Sequence, residues 1–101
     1  MADWTVCLIV HGIVQGVGYR HLVRTVAVRH GIRGFVKNED DGSVSIMATG
    51  TDSQIEQFVD EIDVDIPAGP SVVNIERVNG DSERFPNTER SKEYSEFLVL
   101  K

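Results

Sequence analysis

The stretch TVCLIVHGIVQGVGYR, residues Thr5–Arg20, is where the chain changes character. Thr5 to Val10 is nearly continuous apolar sequence rich in β-branched residues, as suits a central strand buried on both faces. A loop carrying Gly12, Gly16 and Gly18 follows. Beyond it Tyr19, Leu22, Val23, Val26, Ala27 and His30 recur at helical spacing, and Gly31 stands where a glycine would end that helix. Strand, glycine loop and helix in that order resemble a cradle for phosphate. The usual phosphate chemistry is missing, however. There is no Gly-Lys-Ser/Thr, so this is not a nucleotide P-loop. The position six residues before Arg20 is Val14, not a cysteine, so a cysteinyl-phosphatase reading fails as well.

Outward from this stretch, Ile32–Lys37 and Ser43–Thr49 read as two strands joined by the turn residues Asn38-Glu39-Asp40-Asp41-Gly42. In the second, Val44, Ile46 and Ala48 share one face. Thr51 or Ser53 can cap a second helix, each with Gln54 or Glu56 three residues on, and Ile55, Phe58, Val59 and Ile62 form its apolar stripe. Pro67, Gly69 and Pro70 break the chain. Ser71–Val78 reads as a fourth strand, Asn79–Lys92 as a polar loop and Tyr94–Leu100 as a fifth strand. The order β-α-β-β-α-β plus a final strand predicts an α+β ferredoxin-like sandwich, two helices on one face of a mainly antiparallel five-stranded sheet. The expected spatial order is 4-1-3-2, with strand 5 beside strand 2. The glycine loop and Asn38 then leave the same edge of the sheet, about 10 Å apart across the intervening strand.

The chain has 101 residues, enough for one domain with one core. No apolar run reaches the ~20 residues that span a bilayer, and Met1-Ala2-Asp3-Trp4 shows no signal-peptide pattern. The single cysteine, Cys7, cannot form an internal disulfide. A cytoplasmic monomer that binds no membrane is expected. Net charge is −6, unevenly placed: Trp4–Asn38 holds Arg20, Arg24, Arg29, Arg33 and Lys37 with no acid, whereas Glu39–Lys101 has five basic and fifteen acidic residues. A positive first half favours small anions, and the acidic remainder repels long polyanions. On charge alone, a solvated helix face with ordinary arginines reads equally well.

The first turn of the helix after the loop has no Ser, Thr, Asp or Asn cap. Its amides stay free for a ligand, and the dipole places about half a positive charge there. Gly16 and Gly18 let the backbone fold around an anion, and Arg20 can grip a phosphate with two parallel bonds. Glycine spacing alone fits a plain connection with a surface arginine better. No nucleophile stands near. Thr25 lies further into the helix and Cys7 within the first strand. His11, His21 and His30 have no metal-like spacing and read as structural or solvated, without a carboxylate partner. Asp40, Asp41, Asp63 and Asp65 read as turn acids, and no cluster suggests a metal. Phosphate binding without nucleophile, acid or metal narrows the reaction. A phosphate monoester needs help to expel an alkoxide. An acyl phosphate expels a carboxylate, with a pKa of about 4, so positioning and charge stabilisation suffice. An amide such as Asn38 can orient the attacking water. By itself Asn38 before Asp-Asp-Gly is turn chemistry, and its placement opposite Arg20 is what singles it out.

Gly12-x-Val14-Gln15-Gly16-Val17-x-aromatic-Arg20, followed by Gly34-Phe35-Val36-Lys37-Asn38-x-x-x-Gly42-x-Val44-x5-Gly50, resembles both signatures of the acylphosphatases. Tyr19 stands where the family more usually has Phe, and Asp63–Lys101 carries no signature. The resemblance implies hydrolysis of carboxyl-phosphate bonds in a small-molecule acyl phosphate. Inorganic phosphate would be product and competitive inhibitor, and no cofactor is expected. It implies that Arg20 binds the phosphoryl group with the backbone of Gln15, Gly16, Val17, Gly18 and Tyr19, and that Asn38 positions water. Two other readings compete. An RNA-binding sandwich would need exposed aromatics on the central strands, and TVCLIV and SVSIMAT have none, so no nucleic-acid partner is expected. An acylphosphatase-like domain of a larger carbamoyl-transfer enzyme, as in hydrogenase-maturation proteins, would call for further domains, and this chain is expected to act as a single domain, residues 1–101.

Overall fold

The structure is a computed structural model that describes residues 3–78, 85 and 94–100. Among the described residues seven elements follow one another: β1 (Trp4–Ile13), α1 (Tyr19–Arg29), β2 (Arg33–Asn38), β3 (Val44–Gly50), α2 (Asp52–Ile62), β4 (Ser71–Val78) and β5 (Phe97–Leu100). The sheet order is β4-β1-β3-β2-β5, as the motif order predicts. β1–β3, β1–β4 and β2–β3 pair antiparallel, and β2–β5 pairs parallel, so the sheet is mixed. This is the α+β ferredoxin-like sandwich.

Side-chain alternation explains the layering. Leu8 and Val10 of β1, Val36 of β2, and Val44, Ile46 and Ala48 of β3 join Val23, Val26 and Ala27 of α1 and Ile55, Phe58 and Ile62 of α2 in one buried cluster. The intervening residues Cys7, Ile9, Phe35 and Met47 form a second cluster on the opposite face with Phe85. β1 is therefore buried on both sides, which is why its sequence runs apolar without alternating. Phe85 is 1% exposed and its ring centroid lies 6.1 Å from that of Phe35. It sits within the stretch expected to be a polar loop; the rest of Asn79–Lys92 lies outside the described residues.

Two element boundaries differ from the sequence reading by three residues, while β2 and β3 are each displaced by one. β1 runs on to Ile13, past the expected end at Val10, with a register shift between His11 and Gly12 where it pairs with β4. Gly12 is thus a strand residue rather than part of the loop. Its φ is +139°, and a Cβ there would lie 2.2 Å from the Ser71 carbonyl oxygen, so glycine is required by the close approach of β4. β5 begins at Phe97 rather than Tyr94. Its register opens with Gly34↔Phe97, and Gly34 N–H still bonds the Glu96 carbonyl at 3.1 Å, but β2 starts only one residue earlier, at Arg33, so Tyr94 and Ser95 lie beyond its end.

Candidate active site

α1 starts on Gly18, whose backbone is left-handed (φ 80°, ψ 13°), with no side-chain cap and no acidic residue in the first turn. The amides of Tyr19, Arg20 and His21 precede the first intrahelical bond, from Leu22 N–H to the Gly18 carbonyl at 3.1 Å. Cβ positions built on Gly16 and Gly18 meet nothing within 4 Å. Those glycines are required by their positive φ of 74° and 80°, and the space beside them is open. A pocket of about 360 Å³ lies there, lined by Val14, Gly16, Gly18, Tyr19, Arg20, His21 and Val99.

Arg20, half-buried in the first turn, donates through Nη1 to the Leu100 carbonyl oxygen at 2.7 Å. No carboxylate among the described residues pairs with it, and its other N–H donors can take an anion. β5 therefore orients the guanidinium by a backbone carbonyl, which fixes direction without neutralising charge. Asn38 is the last residue of β2, in register with Val44. Its Oδ1 is buried and has no hydrogen-bond partner in the structure, an arrangement that costs about 1–3 kcal/mol unless something donates to it. Gln15 Nε2 donates to the carbonyl oxygens of Glu39, at 2.7 Å, and Ser43, at 2.8 Å. The loop is thereby tied to the turn that begins immediately after Asn38. That turn is held in addition by Glu39 N–H to the Ser43 carbonyl and by Asp41 Oδ1, which accepts from Ser43 N–H.

The residues singled out in sequence thus fall into three positions. Gly16, Gly18, Tyr19 and Arg20 line the pocket; Gln15 bridges loop and turn; and Asn38 lies at the end of β2, outside the pocket lining. Val17 packs half-buried against the helix-side core. Tyr19 lines the pocket although it is only 1% exposed, and its hydroxyl donates to the Ile62 carbonyl at 2.9 Å, which links α1 to the end of α2. Burial, and secondarily the charge of Asp63, push the Tyr19 phenol far above its usual range, so it remains a neutral donor.

Two histidines do have carboxylate partners, contrary to the sequence reading. His11 Nε2 lies 3.2 Å from Glu76 Oε1, and His30 contacts Glu61, which also binds Arg29. These pairs join β1 to β4 and α1 to α2, pairings that no local spacing could show. None lines the pocket. Thr25 Oγ1 bonds the His21 carbonyl one turn back, and Cys7 is buried. Among the described residues no three His, Cys, Asp or Glu side chains are grouped to hold a metal, and no helix is long and apolar enough to cross a membrane. The lining residues outside the sequence-predicted site are Val14, His21, directly after Arg20, and Val99, which shares its face of β5 with the buried Phe97.

The fold defines an α+β ferredoxin-like protein whose α1 starts without a side-chain cap beside an arginine that no described carboxylate pairs. Comparison gives the particular class. A family model described as Acylphosphatase matches residues 6–94. An acylphosphatase of Lactobacillus johnsonii is 42% identical over 92 residues, covering 90% of this chain and 94% of the relative. The crystal structure of the Bacillus subtilis acylphosphatase superposes with a TM-score of 0.79 at 29% identity, covering 99% of this chain and 100% of that one. An acylphosphatase from Coxiella burnetii gives 0.72 at 27%, covering 97% and 93%. The chain belongs to the acylphosphatase family, and its activity is the hydrolysis of acyl phosphates.

Proposed function

We propose that the pocket at the start of α1 holds the phosphoryl group of an acyl phosphate, through the Gln15–Arg20 backbone and Arg20, and that Asn38 positions the attacking water. The observation that carries this reading is the helix end itself. Three amides, the positive pole of α1 and an arginine that no described carboxylate pairs meet at one open pocket. The same converging donors stabilise charge as it spreads over the phosphoryl oxygens in the transition state. Asn38 Oδ1 supports the second half, because a buried acceptor without a partner suits a water O–H. Gln15 holds the Asn38 turn against the loop, so phosphorus and nucleophile keep a fixed relation.

Chemically, the water oxygen attacks phosphorus as the bond from phosphorus to the bridging oxygen breaks. The acyl group leaves as carboxylate with the bonding pair, and the water proton passes to a phosphoryl oxygen, so that a dianionic substrate and water give carboxylate and dihydrogen phosphate. The leaving group needs no protonation, and the reaction asks the protein only for position and positive potential. Asn38→Ala tests the assignment. Turnover of benzoyl phosphate is expected to fall about 10²-fold, while phosphate affinity measured by calorimetry on the folded variant stays close to that of the parent. A fall in phosphate affinity matching the fall in kcat/KM would make Asn38 a phosphate ligand instead of a water-positioning group.

A further inference from the structure

We propose that His21 and Val99 form the acyl-group side of the pocket and determine specificity, favouring an acyl phosphate whose acyl group is flat and apolar. The proposal rests on the phosphoryl group lying at the start of α1. At about 30 Å³ for each water-sized group, the five atoms of a phosphate fill under half of the roughly 360 Å³ pocket. The remaining space must face the rest of the substrate.

The lining residues divide by availability. Gly16, Gly18 and Arg20 belong to the phosphoryl side. Val14 and Tyr19 are each 1% exposed, and the Tyr19 hydroxyl is taken by the Ile62 carbonyl, so both act as floor. His21 and Val99 remain, and both are exposed, Val99 at 43%. The His21 side chain has no hydrogen-bond or ion-pair partner among the described residues, unlike His11 and His30. Val99 follows the buried Phe97 on the helix-facing side of β5, one position before the carbonyl that orients Arg20. An acyl group joined to phosphorus through one oxygen leaves the cradle past these two side chains. An imidazole face on one side and a branched alkyl group on the other offer stacking and dispersion, and no paired donors for a polar acyl group.

The test compares benzoyl phosphate with acetyl phosphate on the parent protein and on His21→Ala, His21→Phe and Val99→Ser. The kcat/KM ratio of benzoyl to acetyl phosphate is expected to fall about three- to tenfold in His21→Ala and Val99→Ser, the scale of one lost aromatic or apolar contact. It should recover in His21→Phe, which keeps a ring but no titratable nitrogen. The inhibition constant of inorganic phosphate, which reads the cradle alone, should move by less than that ratio. An unchanged ratio in both His21→Ala and Val99→Ser overturns the proposal, as does a loss that His21→Phe fails to restore. Arg20→Lys separates this from the underlying assignment. It is expected to weaken phosphate and to depress both substrates alike. If it did neither, the phosphoryl site would be misplaced, whatever the acyl ratio showed.

Discussion

The two helices have the same length, 11 residues, and opposite beginnings. α2 satisfies its own N-terminus. Thr51 Oγ1 accepts from Gln54 N–H at 3.2 Å, Gln54 Oε1 accepts from Thr51 N–H at 2.8 Å, and Asp52 adds a negative charge to the first turn. α1 does none of this. Its first residue follows a left-handed glycine, without cap or acid, and its first-turn side chains are Tyr19, Arg20 and His21. A good cap contributes about 1 kcal/mol, so α1 forgoes stability that α2 takes. On the proposed function, the difference separates a helix end that serves the fold from one that serves a ligand. The other ends reverse the relation. α2 closes without a basic residue in its last turn, and its Glu61 is paired by Arg29 and contacted by His30 at the end of α1.

If the open end of α1 works as an anion site, its most sensitive element is Arg20. Arg20 has to bond the Leu100 carbonyl and an anion at once, through different nitrogens of one rigid fork. Lysine keeps the charge and loses the fork. Charge-assisted bonds contribute about 1.5–3 kcal/mol each, so Arg20→Lys is expected to lower kcat/KM for benzoyl phosphate about 10²-fold or more. Near-full activity with weakened phosphate inhibition would show that the fork is not needed for turnover, and near-full activity with unchanged phosphate inhibition would show that the phosphoryl group does not sit on Arg20.

Both helix ends were legible in the sequence, and for the same reason: capping is local. Thr51 with Gln54 three residues on is one side of it, although Ser53 with Glu56 fits the same pattern and only the structure selects Thr51, and the absence of any capping residue before Tyr19 is the other. The strand order was legible too, because the element order β-α-β-β-α-β predicts it, with the final strand beside β2. What escaped depends on contacts distant in sequence. Gly12 reads as a loop glycine until β4 is seen against it. Phe85 is a single aromatic in polar surroundings, and only Phe35 on the sheet shows why it is buried. His11 with Glu76 and His30 with Glu61 lie 65 and 31 residues apart. Val99 enters the pocket because β5 runs parallel beside β2, which places its end near the start of α1. Asn38 was singled out from its place at the end of a strand, but its buried, unpartnered oxygen is a property of the packed molecule.

A smaller effect should come from giving α1 what α2 already has. Gly18→Asp introduces a carboxylate where a Cβ meets nothing within 4 Å. Asp is among the residues that tolerate a left-handed backbone best, and a negative charge suits a helix N-terminus. The strain and the dipole gain are of similar size, so thermal stability should change little. The same carboxylate faces an incoming phosphate. The inhibition constant of inorganic phosphate is expected to rise about tenfold, or roughly 1.4 kcal/mol, and the increase should shrink as salt screens it. A variant that binds phosphate as the parent does would mean that the anion does not sit at this helix end.

The smallest effect is expected from taking away what α2 has. Thr51→Ala removes the oxygen that accepts from Gln54 N–H, while the Thr51 carbonyl still accepts from Ile55 N–H at 2.9 Å. Helix geometry therefore survives, and one first-turn amide turns to water. The cost is about 1 kcal/mol, which in a chain of this size lowers the melting temperature by about 4–8 °C. Thr51→Ser keeps the accepting oxygen and should restore most of the loss. Neither change should alter kcat/KM or phosphate inhibition at a temperature where the protein is fully folded, because Thr51 is not among the residues lining the pocket. The measurement is a pair of thermal melts beside steady-state kinetics on one preparation. If Thr51→Ala left the melting temperature unchanged and depressed turnover, the end of α2 would be acting on the site, and the division between a structural and a ligand-binding helix end would be wrong.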